Sequence, residues 1–327
     1  MIPAGDHGPA QNRFAHRTKA KFSIHAALQR ELFLRGKRIR RFRMNALTEI
    51  EIRLCKTWDE CLQCEQLQVR VWNMPDYRDV VPASFLVTAI KNGGILAGAF
   101  QGDEMVGFAF GVLGWHYTGA TRRLKHLSHM LGVLPHVREK NVGANLKWKQ
   151  RAAALEQGLD LMTWTYDPLQ SVNARLNLMR LGAIARCYIR DAYGEMTDAL
   201  NAGIASDRFQ VEWLLQNERV TARASGYSPA PNYVNAVDVY EVAWTAQGFP
   251  KIAGERDMDA QFARVEIPSD LNALKANDIA LAAEWRARTR ETFERAFARG
   301  LAATDVVREH DASGHTRVFY VLNRVDF

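Results

Sequence analysis

The sequence predicts an α/β fold of alternating strands and helices, and three features of the 327-residue chain carry that expectation. Short apolar runs bounded by turn residues recur between segments whose apolar residues fall at helical spacing. Two of those runs meet at Gln101-Gly102-Asp103, a hairpin signature. Leu131–Ala144 reads as an apolar strand, a basic loop and the start of a helix. Hydrophobic residues make up 47% of the chain, enough to bury one large core or two smaller ones.

In chain order, Glu49–Leu54 alternates as a first strand, and Asp59–Trp72 follows as a helix with Leu62, Leu67 and Val71 at helical spacing. A Pro-containing connection over Met74–Pro82 precedes a short segment, Ala83–Lys91. Gly94–Phe100 and Glu104–Val112 are the hairpin strands, and His126–Leu134 is the next strand. Gly143–Gln157 is a helix stopped by Gly158. Leu161–Tyr166 is a strand ending at Asp167-Pro168, and Ser171–Leu181 is a helix with Gly182 at its end. Ala183–Arg190 and Phe209–Leu215 complete the order β-α-β-β-β-α-β-α-β-β. Composition shifts at Gly226–Asn232, a natural linker. Beyond it lie a strand at Ala263–Ile267 and a helix at Asn277–Arg299 with Trp285, Phe293 and Phe297 on one stripe. Ala303–His310 and Thr316–Leu322 pair around Ala312-Ser313-Gly314. The expected organisation is a basic arm over residues 1–43, a main domain over 44–225 and a small αβ unit over 226–327.

The formal net charge of +7 is unevenly placed. Residues 1–43 hold eleven Lys/Arg against Asp6 and Glu31, while the rest holds 32 basic and 34 acidic groups. The folded part is therefore nearly neutral. The arm, densest over Arg35–Arg43, could touch nucleic acid or anionic lipid, but charge blocks are usually solvated extensions. Nucleic acid is not expected as a partner beyond that arm. No run of about eighteen apolar residues occurs, so no membrane span is expected. The N-terminus lacks an apolar core and a cleavage site, so no secretory signal is expected either. Cys55, Cys61, Cys64 and Cys187 do not make a disulfide framework in a chain this long. Cys61-x-x-Cys64 lies in a helix and has no second pair to complete a zinc site. Reduced core thiols, a cytoplasmic location and no metal are expected.

A helix start leaves backbone N–H groups unpaired and carries partial positive charge, so the opening near Gly143 suits a phosphate. Gly143 lets a ligand approach the backbone, and Arg138 and Lys140 add charge. In Val133-x-Pro135-x-x-Arg138-x-x-Asn141-x-Gly143 this segment resembles the coenzyme-A loop of the GNAT superfamily of acyl-CoA N-acyltransferases. Asn141 stands where that loop usually has a first glycine, and asparagine also visits the left-handed region. Asp167-Pro168-Leu169-Gln170-Ser171-Val172-Asn173 with Leu181-Gly182-Ala183 is similar to a second block of the family. Ser128-His129-Met130, Trp164–Leu169, Tyr193–Met196 and Ser206–Phe209 resemble a large subgroup with a C-terminal extension. The likeness spans roughly residues 47–215.

That resemblance implies a mixed, mostly antiparallel sheet whose central fourth and fifth strands splay apart, flanked by helices. It implies acetyl-CoA or another acyl-CoA, succinyl-CoA included, as co-substrate, and direct transfer to a small amine or amino acid. The backbone of Val137–Ala144 with Arg138, Lys140, Asn141, Gly143 and Ala144 would anchor the cofactor. Leu131 and Val133 would line its arm, with a main-chain N–H at Leu131 polarising the thioester carbonyl. Asn173 would contact the pantetheine or stabilise its own turn. A lysine-like amine is neutral in only about one molecule per thousand near pH 7, so a base is needed. His129, four residues before Val133, is the candidate; His126 lies an odd number of residues away and should face the opposite side. The helix tyrosine that usually protonates the thiolate is replaced by Leu178, beside Asn177. Tyr193 in its loop is the favoured substitute, with Tyr188 the other. Arg208 could hold a carboxylate of the acceptor or of the acyl group; the alternative is a pair with Asp207. Gly194–Asp207 is long enough to form a lid. The C-terminal unit would pack on the core or complete a homodimer. A non-catalytic acyl-CoA-binding regulator is the alternative function, supported by the missing helix tyrosine.

Overall fold

The computed structural model describes residues 49–74, 79–194, 203–228, 236–258 and 262–325. Ile52–Phe327 is one unit and Met1–Glu51 another, of which residues 49–51 alone are described. The basic arm lies outside the described residues.

Strand β1 (Glu51–Leu54) leads to Thr57, whose hydroxyl accepts the Glu60 N–H at 3.3 Å while the Glu60 carboxylate accepts the Thr57 N–H at 2.9 Å. This reciprocal cap starts α1 (Trp58–Trp72), and Asn73 ends it in the left-handed conformation. Cys55, Cys61 and Cys64 are buried free thiols. Ala83–Lys91, unassigned in the sequence, forms α2, with Leu86 and Ala89 buried. Next come β2 (Ile95–Gln101), β3 (Glu104–Thr118) and β4 (Thr121–Val133). The first hairpin turns where expected, with Gln101 opposite Glu104 and Gly102 at φ 64°. The second is longer than expected, its last rung joining Thr118 and Thr121. Its outer part exposes Trp115, Tyr117 and Leu124. It therefore lacks the apolar-in, polar-out alternation that marks a strand.

A 3₁₀ turn (Pro135–Lys140) precedes α3 (Val142–Glu156) and β5 (Leu161–Tyr166). The helix expected over Ser171–Leu181 is α4 (Ser171–Ala174) followed by a π turn (Arg175–Arg180). Arginines from α5 (Glu218–Ala224) take the carbonyls at its end. Arg219 donates to Leu178 O at 3.2 Å and Arg223 to Met179 O at 2.6 Å. Strands β6 (Ile184–Ile189) and β7 (Arg208–Leu214) lie between that turn and α5. The remaining chain forms β8 (Val237–Asp238), β9 (Tyr240–Trp244), β10 (Pro250–Glu255) and β11 (Phe262–Ile267). It ends in α6 (Leu271–Asn277), α7 (Ile279–Ala298), β12 (Leu301–His310) and β13 (Thr316–Arg324).

One sheet runs β1-β2-β3-β4-β5-β7-β6-β12-β13-β11-β8, and β9 pairs with β10 apart from it. The β4–β5 and β8–β11 pairs are parallel, and the other pairings from β2 to β13 are antiparallel. This is the mixed, mostly antiparallel architecture that the resemblance implies. Strands from beyond residue 226 continue the sheet through a single rung, Ala303 opposite Ala185. Side chains do more of the joining. Phe209 of β7 lies 4.7 Å from Phe293, 5.3 Å from Phe297 and 5.4 Å from Tyr320 by ring centroids. Two buried carboxylates of the first part pair with α7: Asp167 with Arg286 and Asp207 with Arg290, each at 2.7 Å.

Candidate active site

Strands β4 and β5 share two rungs, His126 with Met162 and Leu127 with Thr163. Beyond them β4 follows β3 to the Gly107–Val133 rung, while β5 follows β7 to Tyr166–Phe209. A wedge therefore opens between Ser128–Val133 and Trp164–Tyr166. Its cause is local. Phe110 pairs with Met130 but Gly111 pairs with Ser128, so His129 is the extra residue of a β-bulge. Bulges bend a strand and raise its twist. Gly111 makes the bulge fit, because a Cβ there would collide with the His126 ring and lie 2.5 Å from Leu127 O.

At the open end of the wedge, Asn141 is left-handed (φ 59°) and α3 begins without a side-chain cap. The Asn141 carboxamide oxygen instead accepts from Arg180 of the π turn. A Cβ on Gly143 would sit 3.8 Å from Leu131, 3.9 Å from Leu176 and 4.0 Å from Val133. The helix start, the β4 wall and the π turn thus converge on one glycine. Arg138 and Lys140 just before it and Asn173 of α4 are exposed, and Arg138 Nε donates to Val133 O at 3.1 Å. Ala144 is buried. Val137 is buried and its N–H is already given to Leu134 O at 3.1 Å. Arg180 escaped the sequence reading because only the folded π turn brings it to Asn141.

The candidate proton-transfer groups sit near the apex of the wedge. His129 is exposed, whereas His126 is buried. Partial desolvation nevertheless holds the His129 pKa below its usual value. Burial, then the nearby Lys147 amine, lowers His126 to about 3, and neither of its ring nitrogens has a partner. Tyr193 is 56% exposed and its hydroxyl lies 2.8 Å from Thr165 Oγ1, two residues past the last shared rung. Tyr188 is differently engaged, donating to Asp207 at 2.7 Å, and burial raises its pKa. Leu178 is fully buried.

Arg208 is buried and does not pair with the Asp207 carboxylate. It donates to the Asp207 carbonyl at 2.9 Å, and its guanidinium carbon lies 5.2 Å from the Tyr193 ring centroid. The carboxylate of Asp207 accepts from Arg290, Tyr188 and the Asp191 N–H. Burial alone would raise the Asp207 pKa, but these donors bring it below the usual value. Residues 195–202 of the expected lid lie outside the described residues. Among the described residues, no cluster of His, Cys, Asp or Glu could hold a metal, and no helix is long and apolar enough to cross a membrane.

No family profile and no curated protein matches the chain. Solved structures are similar to about half of it. A protein assigned to the GNAT family of acetyltransferases from Desulfovibrio desulfuricans is 18% identical, covering 51% of this chain and 99% of its own, with a TM-score of 0.39. A GNAT-family acetyltransferase from Streptococcus pneumoniae is 15% identical over 50% of this chain and 98% of its own, with a TM-score of 0.39. The ribosomal-protein-S18-alanine N-acetyltransferase from Escherichia coli is 11% identical over 52% and 96%, with a TM-score of 0.38.

Proposed function

We propose that this chain is an acyl-CoA-dependent N-acyltransferase that transfers an acetyl or succinyl group directly to a small amine or amino acid. One observation carries the reading: β4 and β5 separate after two rungs, and an uncapped helix start lies at the open end of the gap. A pyrophosphate suits amides that no side chain caps, and Gly143 leaves the backbone approachable between Leu131, Val133 and Leu176. Arg180, Arg138 and Lys140 add cationic charge around that start. The pantetheine arm then fits the wedge, with the Leu131 N–H as the donor to the thioester carbonyl.

In the reaction, the acceptor nitrogen attacks the thioester carbon, a C–N bond forms and the C–S bond breaks. His129, unprotonated at neutral pH because desolvation lowers its pKa, takes the proton leaving the nitrogen. Tyr193, held at Thr165 beside the wedge, gives a proton to the departing thiolate. A phenol in this position favours an enzyme over a regulator that binds without turnover.

Thermal-shift measurements with acetyl-, succinyl- and longer acyl-CoA esters, followed by thiol release with an amine panel, test the reading. Stabilisation and amine-dependent thiol release are expected. Stabilisation without release would favour the regulator, and no stabilisation by any ester would remove both.

A further inference from the structure

Lys147, five residues into α3, is 2% exposed and its amine has only neutral partners. Nζ lies 2.8 Å from Ser128 Oγ of β4, 3.1 Å from Gln150 Oε1 of its own helix and 3.5 Å from Met162 Sδ of β5. It also lies 3.7 Å from the Trp164 ring centroid, and Ser128 Oγ donates to Gln150 Oε1 at 2.8 Å. These partners surround the point where the strands part. Ser128 precedes the bulged His129, Met162 belongs to a shared rung, and Trp164 is the first β5 residue beyond the rungs.

The charged or titratable group facing this amine is His126 of β4. The residues near it on the other elements are Met162 and Trp164 of β5 and Trp213 of β7, with Gln150 on its own helix. No carboxylate pairs with Lys147 among the described residues. Burial drives its pKa well below the usual 10.5. Without charge, the amine has two hydrogens for the two oxygens within reach. Keeping a lysine neutral costs stability that a methionine of similar volume would not. What the site gains in return is the pair of hydrogen bonds.

We propose that Lys147 is a positioning residue for acyl transfer: from α3 its amine pins Ser128 of β4 beside Met162 and Trp164 of β5, and so fixes where the strands separate and where His129 stands. The proposal rests on the acyltransferase reading above. It adds that one helix both offers its first-turn amides to phosphate and sets the apex of the wedge, little more than a turn further on.

Lys147→Met and Ser128→Ala, made singly and together, test it. Each should lower kcat at least ~tenfold while acyl-CoA still stabilises the protein, and the double variant should lose no more than either single one. Lys147→Met should melt above the parent chain at pH 7. That gap should narrow toward pH 10, because stability tied to an amine that is neutral when folded and protonated when unfolded rises with pH. A parent-like kcat in Lys147→Met, additive losses, or a melting gap independent of pH would each overturn the proposal. If the parent chain itself releases no thiol, the acyltransferase reading falls and takes the catalytic half of the proposal with it. The melting gap then still decides whether the amine is held uncharged.

Discussion

His129 owes its place beside the wedge to a one-residue slip in the β3–β4 ladder. Strand alternation in the sequence separates it from His126, and their exposures differ accordingly. The bulge itself is not legible there, because it depends on Gly111 meeting the His126 ring across the hairpin. Tyr193 is similar: its loop setting can be read from Ala192-Tyr193-Gly194, but its bond to Thr165 spans 28 residues. His129→Ala should lower kcat/KM at pH 7 at least ~tenfold and recover partly at pH 9, where more acceptor amine is neutral. With the His129 pKa held below its usual 6.5, the parent rate should fall only as pH drops through that lowered value. An unchanged pH–rate profile in the variant would exclude the histidine. Tyr193→Phe should reduce kcat by roughly tenfold or more and leave KM nearly unaltered, measured by thiol release.

The start of α3 was the most legible element, since Gly143 and the basic loop stand in plain order along the chain. Even Asn141 takes the left-handed conformation that its residue type allows. Gly143 is helical and a Cβ there meets only ordinary contacts, so Gly143→Ala separates two roles. The free protein should gain about 0.5–1 kcal/mol from reduced backbone entropy, while acyl-CoA binding weakens because the methyl group faces the wedge. Opposite changes in melting temperature with and without acyl-CoA would bear this out, and equal gains in both would refute it. Elements set by tertiary partners were less legible. The break between α4 and the π turn answers to Arg219 and Arg223, some forty residues later. The outer β3–β4 hairpin exposes its aromatic residues and so lacks a strand's usual alternation.

At the scale of the molecule, Gly226–Asn232 marks a change in composition, but local pattern says nothing of which strands pair across it. The apolar stripe of Trp285, Phe293 and Phe297 on α7 was visible; its partners Phe209 and Tyr188, from much earlier in the chain, were not. Phe293→Ala should destabilise the protein by about 3–5 kcal/mol, and the 52–225 and 226–325 regions should unfold in one transition. Two separate transitions by calorimetry would contradict that. The lone Ala185–Ala303 rung has a thermal corollary. Where amide ladders are scarce, adhesion falls to buried ion pairs and to oily rings, and the grip of the rings slackens in the cold. Chilling should therefore loosen the aromatic share of this seam while the Asp167–Arg286 and Asp207–Arg290 pairs go on holding it.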